Sequence, residues 1–276
     1  TLLVASLPFF AAEATRVIYQ EIDTVVMSLL VDETAIGIYA VADNLFGSLL
    51  FVPVIVTTAL FPVIAELHEK RPSAVGPTLA RTFDTLLLVS VPIGLGTIVV
   101  APSFIELPFG PEFEKSAAVL AVYGVVVILS SQTILLGRFA LATGRVKFWT
   151  WWLISATVLT IPLDIVLVPW TDDRFDNAAL GGAIAYVVTE GLLFVVGVVA
   201  VGRGAIGRTT LVRATKLGVA GAAMLAAGWP FRDMVFVVPG AVSVVAYVVV
   251  VALLRTLEPH ENEQLAKLFA RVRRQG

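Results

Sequence analysis

Residues 2–30 read LLVASLPFFAAEATRVIYQEIDTVVMSLL. The hydrocarbon layer of a bilayer is about 30 Å thick and takes roughly 20 helical residues at 1.5 Å each, so this stretch is long enough to cross it. It also carries Glu13, Arg16, Glu21 and Asp23. A charge at a helix centre costs about 2.5–3.5 kcal/mol even on the lenient insertion scale, and a leucine returns only about 0.3–0.6 kcal/mol. Four charges turned to lipid would cost on the order of 10 kcal/mol. The segment must therefore face protein or a water-filled cavity. Helical geometry places Glu13, Arg16, Gln20, Asp23 and Thr24 within roughly a 100° arc. Glu13 and Arg16, three residues apart, can pair, and Glu21 lies off to one side.

The rest of the chain has the same character. Of its 276 residues 58% are hydrophobic and 14% charged, against roughly 25% charged in a soluble domain. Nineteen basic and 21 acidic residues give a net charge of −2, so no polycationic surface for nucleic acid is present. The absence of cysteine excludes disulfides, thiolate metal sites and cysteine nucleophiles. Two histidines, His68 and His260, are too few for a histidine-built metal centre. No G-x-x-x-x-G-K-[ST] loop occurs, which argues against ATP hydrolysis. Gly202, Gly204 and Gly207 with Arg203 and Arg208 imitate a glycine-rich loop weakly, and read better as a basic loop at anionic headgroups. No cofactor is expected.

Eight stretches are long and apolar enough to span: about 2–30, 36–64, 83–103, 116–137, 148–169, 179–201, 217–231 and 235–254. The expected architecture is all-α integral membrane. The first two spans leave room to tilt or bend at Pro8, Pro53 and Pro62. With residue 1 at the cytoplasm, the internal loops 65–81, 138–147 and 202–216 and the tail hold fifteen basic residues. The external loops hold only Lys115, Arg174 and Arg232. That asymmetry places both termini of the segment in the cytoplasm. The first span follows no basic n-region and is too long for a signal h-region. The chain starts at Thr1, directly on a span, and is expected to be part of a longer protein. Beyond Pro259, Leu265, Leu268, Phe269 and Val272 form the apolar face of an amphipathic tail suited to the inner leaflet; a solvated charged tail is the other reading.

Further polar residues lie inside or at the margins of spans. Tyr39, Asp43 and Gly47 share a face of the second span with Asn44 beside them, and Gly182, Tyr186 and Glu190 share a face of the sixth. A polar seam built from several helices is what a transport pathway requires. The competing interpretation of Glu13 and Arg16 is an ion pair joining two helices. Asp84 reads as interfacial, Asp164 as near enough to the outer end of its span to reach water, and Gln132 with Ser130, Ser131 and Thr133 as helix–helix contacts. Glu190, near mid-span with no cation close in sequence, is harder to explain structurally. Asp172, Asp173 and Asp176 in an outer turn could bind a divalent ion, but a solvating turn explains them better.

At these residues a family resemblance is visible. The stretch LPFFAAEATRVIYQEIDTVVMSLLVDETAIGIYAVADNL resembles the seventh and eighth helices of polysaccharide flippases of the multidrug/oligosaccharidyl-lipid/polysaccharide exporter superfamily. The matching features are Leu7-Pro8, Asp23, Gly37-Ile38-Tyr39 and Ala42, then Ala59-Leu60-Phe61-Pro62, Phe109-Gly110-Pro111-Glu112-Phe113, Ala142-Thr143-Gly144-Arg145 and Gly181-Gly182-Ala183-Ile184-Ala185. The likeness covers about residues 1–200. Asp164 stands where many relatives have asparagine.

The resemblance implies one six-helix lobe (residues 1–201) of a two-lobed exporter, two additional spans (202–254) and a cytoplasmic tail (255–276). A missing N-terminal lobe or second subunit would complete the cavity. It further implies a flippase in the cell membrane, not an enzyme, that translocates a polyprenyl-phosphate-linked oligosaccharide by alternating access. Arg16 would bind the phosphate, with Glu13, Gln20, Asp23, Asp43 and Asn44 contacting sugar or holding Arg16; Asp23 or Glu190 could couple an ion. A multidrug or organic-cation antiporter would use the acids instead, and a membrane enzyme acting on lipid-linked sugar is a third reading. Because the chain has no native cysteine, topology can be read from single cysteines. An impermeant maleimide applied to intact cells should label Asp173→Cys and should reach Lys147→Cys only after permeabilisation.

Overall fold

The structure is a computed structural model that describes residues 2–200 and 206–256; the side chains of residues 2–6 and of Pro8 lie outside that description. Gly202, Arg203, Gly204, His260 and the amphipathic tail expected beyond Pro259 also lie outside the described residues. Nine α-helices and no strand occur among the described residues: α1 Leu2–Met27, α2 Glu33–Leu49, α3 Phe51–Lys70, α4 Pro72–Phe109, α5 Glu114–Ala142, α6 Val146–Phe175, α7 Ala178–Ala200, α8 Arg208–Gly228 and α9 Val237–Leu253. By length and composition six segments can cross a membrane: α3, α4, α5 with its preceding 3-10 turn, α6, α7 and α8 with its following turn; α9 is shorter but apolar. The protein is a multi-pass, all-helical membrane protein. Large apolar side chains such as Phe51, Trp151, Val166 and Val245 lie exposed on its outside, as a lipid-facing surface requires.

The helices are punctuated by recognisable chemistry. Asp32 caps α2, its carboxylate accepting from the Ala35 amide at 2.9 Å. Pro72 starts α4 at its first position, where a missing N–H costs nothing. Gly144, at φ 76°, closes α5: its amide donates to the Leu141 carbonyl at 3.3 Å and the Arg145 amide to Ala140 at 2.8 Å. The Arg145 guanidinium then donates to the Ala200 carbonyl at the end of α7.

Three sequence expectations are corrected. The second span is two helices broken at Leu50, because Pro53 cannot donate to the Leu49 carbonyl and its ring crowds that oxygen. Residues 65–81 are not a loop: α3 runs to Lys70 and α4 begins at Pro72, with only Arg71 between them. At 38 residues, α4 is about 57 Å long, so its first turns outreach the hydrocarbon while staying helical. The seventh span starts at Arg208 rather than 217, because the basic stretch Arg208 to Lys216 is itself helical.

The central helix is α5, whose apolar length is mostly buried in the protein, whereas that of α3 is mostly exposed. It packs on α2, α3, α4 and α7; α6 packs on α7 and α1, and α8 and α9 pack on each other and on α4. A large core joins α1 through α7 around Tyr123, Leu135 and Leu193, and a smaller one joins α4 to α8 and α9 through Val91, Leu217, Met224 and Tyr247. Small residues set the closest approaches. A Cβ on Gly94 of α4 would overlap the Gly124 carbonyl of α5, and one on Gly124 would overlap the Gly94 carbonyl. Gly181 similarly lets α7 lie against the α6 backbone at Leu167 and Val168. Gly124→Ala should therefore cost about 1–3 kcal/mol by overpacking and lower the unfolding temperature in detergent. Gly37→Ala, with open space around it, should match or exceed the parent.

Candidate functional site: a polar cavity between α1, α5 and α7

Charged and aromatic side chains of α1, α5 and α7 line an open-sided cavity of about 240 Å³, bordered by the α2–α3 break and the start of α6. That is room for several waters. From α1 come Glu13, Arg16, Tyr19 and Gln20; from α5 Ser130, Thr133 and Arg138; from α7 Tyr186 and Glu190. Leu50, Val54, Leu141, Trp149, Leu153 and Leu193 supply the apolar wall.

Arg16 organises the α1 side. Its Nη2 and Nε donate to Glu13 Oε1 at 2.6 and 3.1 Å, and its Nη1 donates to Gln20 Oε1 at 2.6 Å. These partners sit three and four residues away, one above and one below on a single helix face. The ion pair is thus internal to α1 and faces the cavity; it does not join two helices. The guanidinium is fixed from both ends, yet its side chain is still 39% exposed, which leaves donors for a ligand. Arg138 lines the same space and lies within electrostatic reach of Glu13.

The α7 side is buried. Tyr19 Oη donates to Glu190 Oε2 at 2.9 Å, with Thr189 Oγ1 at 3.4 Å. Thr133 and Ser130 of α5 lie close to the Glu190 carboxyl in the same cavity wall. Tyr19 and Tyr186 meet edge to face at 5.7 Å, and Tyr186, Phe46, Tyr123 and Tyr39 continue as one aromatic cluster.

Beyond those rings lies a second polar group. Asp23 and Asp164 are 1% and 0% exposed and influence each other electrostatically, with Asp43 also felt at Asp23. Asp23 Oδ1 and both Asp164 oxygens have no hydrogen-bond partner. Asp164 does not reach water as its place in the span suggests, because α6 packs it against α1. Asp43, partly buried, lies in reach of Glu21 and the Tyr123 hydroxyl. Asn44 is exposed and donates to the Ala40 carbonyl at 2.7 Å.

Glu13, Arg16, Gln20 and Glu190 therefore share the cavity, whereas Asp23, Asp43 and Asn44 are not part of its wall. Sequence reasoning placed Arg138 in a loop. Continuing the Ser130, Thr133, Ile134 face by one turn reaches Gly137, Arg138 and Leu141, and that periodicity was the available signal. Asp84 is buried rather than interfacial, with Arg213 at 3.8 Å. Gln132 is buried, with neither amide atom hydrogen-bonded. In the outer turn Asp176 pairs with Lys115 at 2.8 Å, and no cluster of three potential metal ligands occurs among the described residues.

A membrane-embedded helical fold with a polar, arginine-bearing cavity is the setting for the comparisons with known proteins. Residues 1–118 match the family model described as "Polysaccharide biosynthesis protein", a region that includes Glu13, Arg16 and Gln20. The chain is 29% identical over 136 residues to the teichuronic acid biosynthesis protein TuaB of Bacillus subtilis (strain 168). That match covers 48% of this chain and 27% of the relative. No solved structure gives a significant match. These matches bear out the resemblance to the polysaccharide flippase family.

The Tyr19–Glu190 bond should be the most sensitive single contact of the site. Tyr19→Phe removes it without changing shape and should cost about 1–3 kcal/mol, the penalty for an unsatisfied buried polar group. Thermal unfolding in detergent is the measurement.

Proposed function

We propose that this chain forms one lobe of a flippase that moves a polyprenyl-phosphate-linked oligosaccharide across the cell membrane for surface polysaccharide assembly. The observation that carries the reading is Arg16, clamped by Glu13 and Gln20 on a cavity wall shared with Arg138. A hydrated phosphate-sugar head cannot enter hydrocarbon alone. Two permanently charged guanidinium groups with planar donor arrays fit phosphate oxygens. Trp149, Tyr19 and Tyr186 offer faces and hydroxyls to sugar rings, while the polyprenyl tail stays in lipid. Nothing in this step makes or breaks a bond, so no catalytic residue is assigned.

A second lobe would close the cavity, and rocking of one lobe against the other would give alternating access. It would come from an N-terminal lobe or a second subunit, with residues 202–254 as additional spans and the tail at the cytoplasmic face. The excess of basic residues in the segments assigned to the inside, which persists without Arg138, supports cytoplasmic termini. Ion coupling would use Asp23, beside Asp164, or Glu190, beside Tyr19; both carboxyls sit on helices that line the cavity. The buried Asp23–Asp164 group also supports the second reading, export of organic cations by the same fold.

The test is translocation of a lipid-linked oligosaccharide in cells that hold the complete transporter. Arg16→Ala and Arg138→Ala should each weaken substrate binding about 10- to 100-fold, as expected for a charged hydrogen bond worth about 1.5–3 kcal/mol. Unchanged translocation in both variants would remove the phosphate-binding role. Competition by organic cations, but not by unlabelled lipid-linked sugar, would favour the second reading.

A further inference from the structure

Far along the chain from the central cavity, where α8 begins and α9 ends, a second pocket of about 310 Å³ is lined by Arg208, Thr209, Val212, Arg213, Lys216, Arg255 and Thr256. Four of its seven residues are cationic. Among the described residues the acid paired with this group is Asp84, 3.8 Å from Arg213, which leaves the described lining with an excess of positive charge. The first turn of α8 adds its own unpaired amides, because Gly207 offers no side-chain cap.

Two further features bear on what the pocket could hold. Thr256 is 6% exposed and lines the pocket, yet its hydroxyl has no hydrogen-bond partner. A buried hydroxyl left that way costs free energy unless a ligand oxygen meets it. Arg255 sits at φ 48°, in the left-handed position that normally takes glycine at a helix end. The bonds from the Arg255 amide to Ala252 and from the Thr256 amide to Val251, both 3.1 Å, require that conformation. An arginine there keeps a charge at the pocket mouth at a cost in backbone strain. Lys216 is tied across to the Leu254 carbonyl at 3.0 Å, which holds the two helix ends together and fixes the pocket's width.

The geometry points to a binding site for a phosphate oxyanion, supplied by the headgroup of an anionic glycerophospholipid in the leaflet that the basic loops mark as cytoplasmic. A phosphodiester would lie between Arg208, Arg255 and the α8 amides and accept from the Thr256 hydroxyl, while its acyl chains run along the exposed apolar flanks of α8 and α9 at Leu211, Val212 and Leu253. Basic pockets between helices at this depth suit such headgroups. None of these residues lines the central cavity, so the site serves a resident lipid and is independent of the transported cargo.

The experiment is native mass spectrometry and thermal unfolding of the purified intact protein titrated with phosphatidylglycerol, phosphatidylcholine or inorganic phosphate. Phosphatidylglycerol should be retained and raise the unfolding temperature where phosphatidylcholine does not. Each lost charge should weaken retention about 5-fold, in Arg208→Gln and in Arg255→Gly. The glycine variant also relieves the backbone strain, so its reduced binding could not come from misfolding. Thr256→Val should weaken retention with no change of charge. Protection by inorganic phosphate would show that the headgroup alone suffices, and protection by phosphatidylglycerol alone would show that the acyl chains contribute. Equal retention of the two lipids, or full retention in the charge variants, would overturn the proposal.

Discussion

Arg16 cannot lie in hydrocarbon without partners, and that constraint governs the arrangement of the larger core. A guanidinium at bilayer depth keeps its charge, so the protein must supply acceptors and water instead of removing the proton. Glu13 and Gln20 provide the acceptors within one helix. The water requires a cavity, and the cavity requires that α1 stand off from α5 and α7 near Arg16 while touching α6 further along. Tyr19 bridges that gap. Its ring packs on Tyr186 and its hydroxyl reaches Glu190, so α1 is anchored to α7 beside the space it helps to open.

The polar face of α1 was legible because charge cost and helical period are local properties. One helix's sequence fixes which residues share an arc, and the energetic penalty excludes lipid from that arc. What faces it instead depends on other helices, and here local reasoning reached its limit. Asp23 lies on the same arc as Arg16 but meets α6 and its buried Asp164, because α1 closes on α6 one turn beyond the cavity. Arc membership therefore did not predict cavity membership.

The misplaced boundaries have a common cause. Charged residues at 66–71, at 138 and at 208–216 mark the limits of hydrocarbon, not the limits of helix. A helix satisfies its own backbone in water as well as in lipid, so nothing obliges it to stop at the interface. Arg138 was hidden by this confusion, and so was the Asp84–Arg213 pair, whose members were assigned to an interface and a loop although α4 and α8 bury them together. Pattern reading located the apolar part of each span better than its ends because hydrophobicity reports on the solvent and hydrogen bonding decides the helix.

The same backbone requirement explains how α9 is joined to the rest. Pro92 inside α4 cannot donate to the carbonyl of Leu88, and in a bilayer that oxygen finds no water. Tyr247 of α9 donates to it at 2.9 Å. A proline on one helix thus creates an acceptor that only a donor on another can satisfy, which gives the α4–α9 contact a direction and a register that apolar packing through Val91 and Val251 could not specify. Two residues further along α4, Gly94 fixes the opposite contact with Gly124 of α5. Within two turns α4 therefore presents a freed carbonyl to α9 and a bare backbone to α5. Movement of α5 at the cavity would act on α4 at those turns, next to the residues that hold α9 in place.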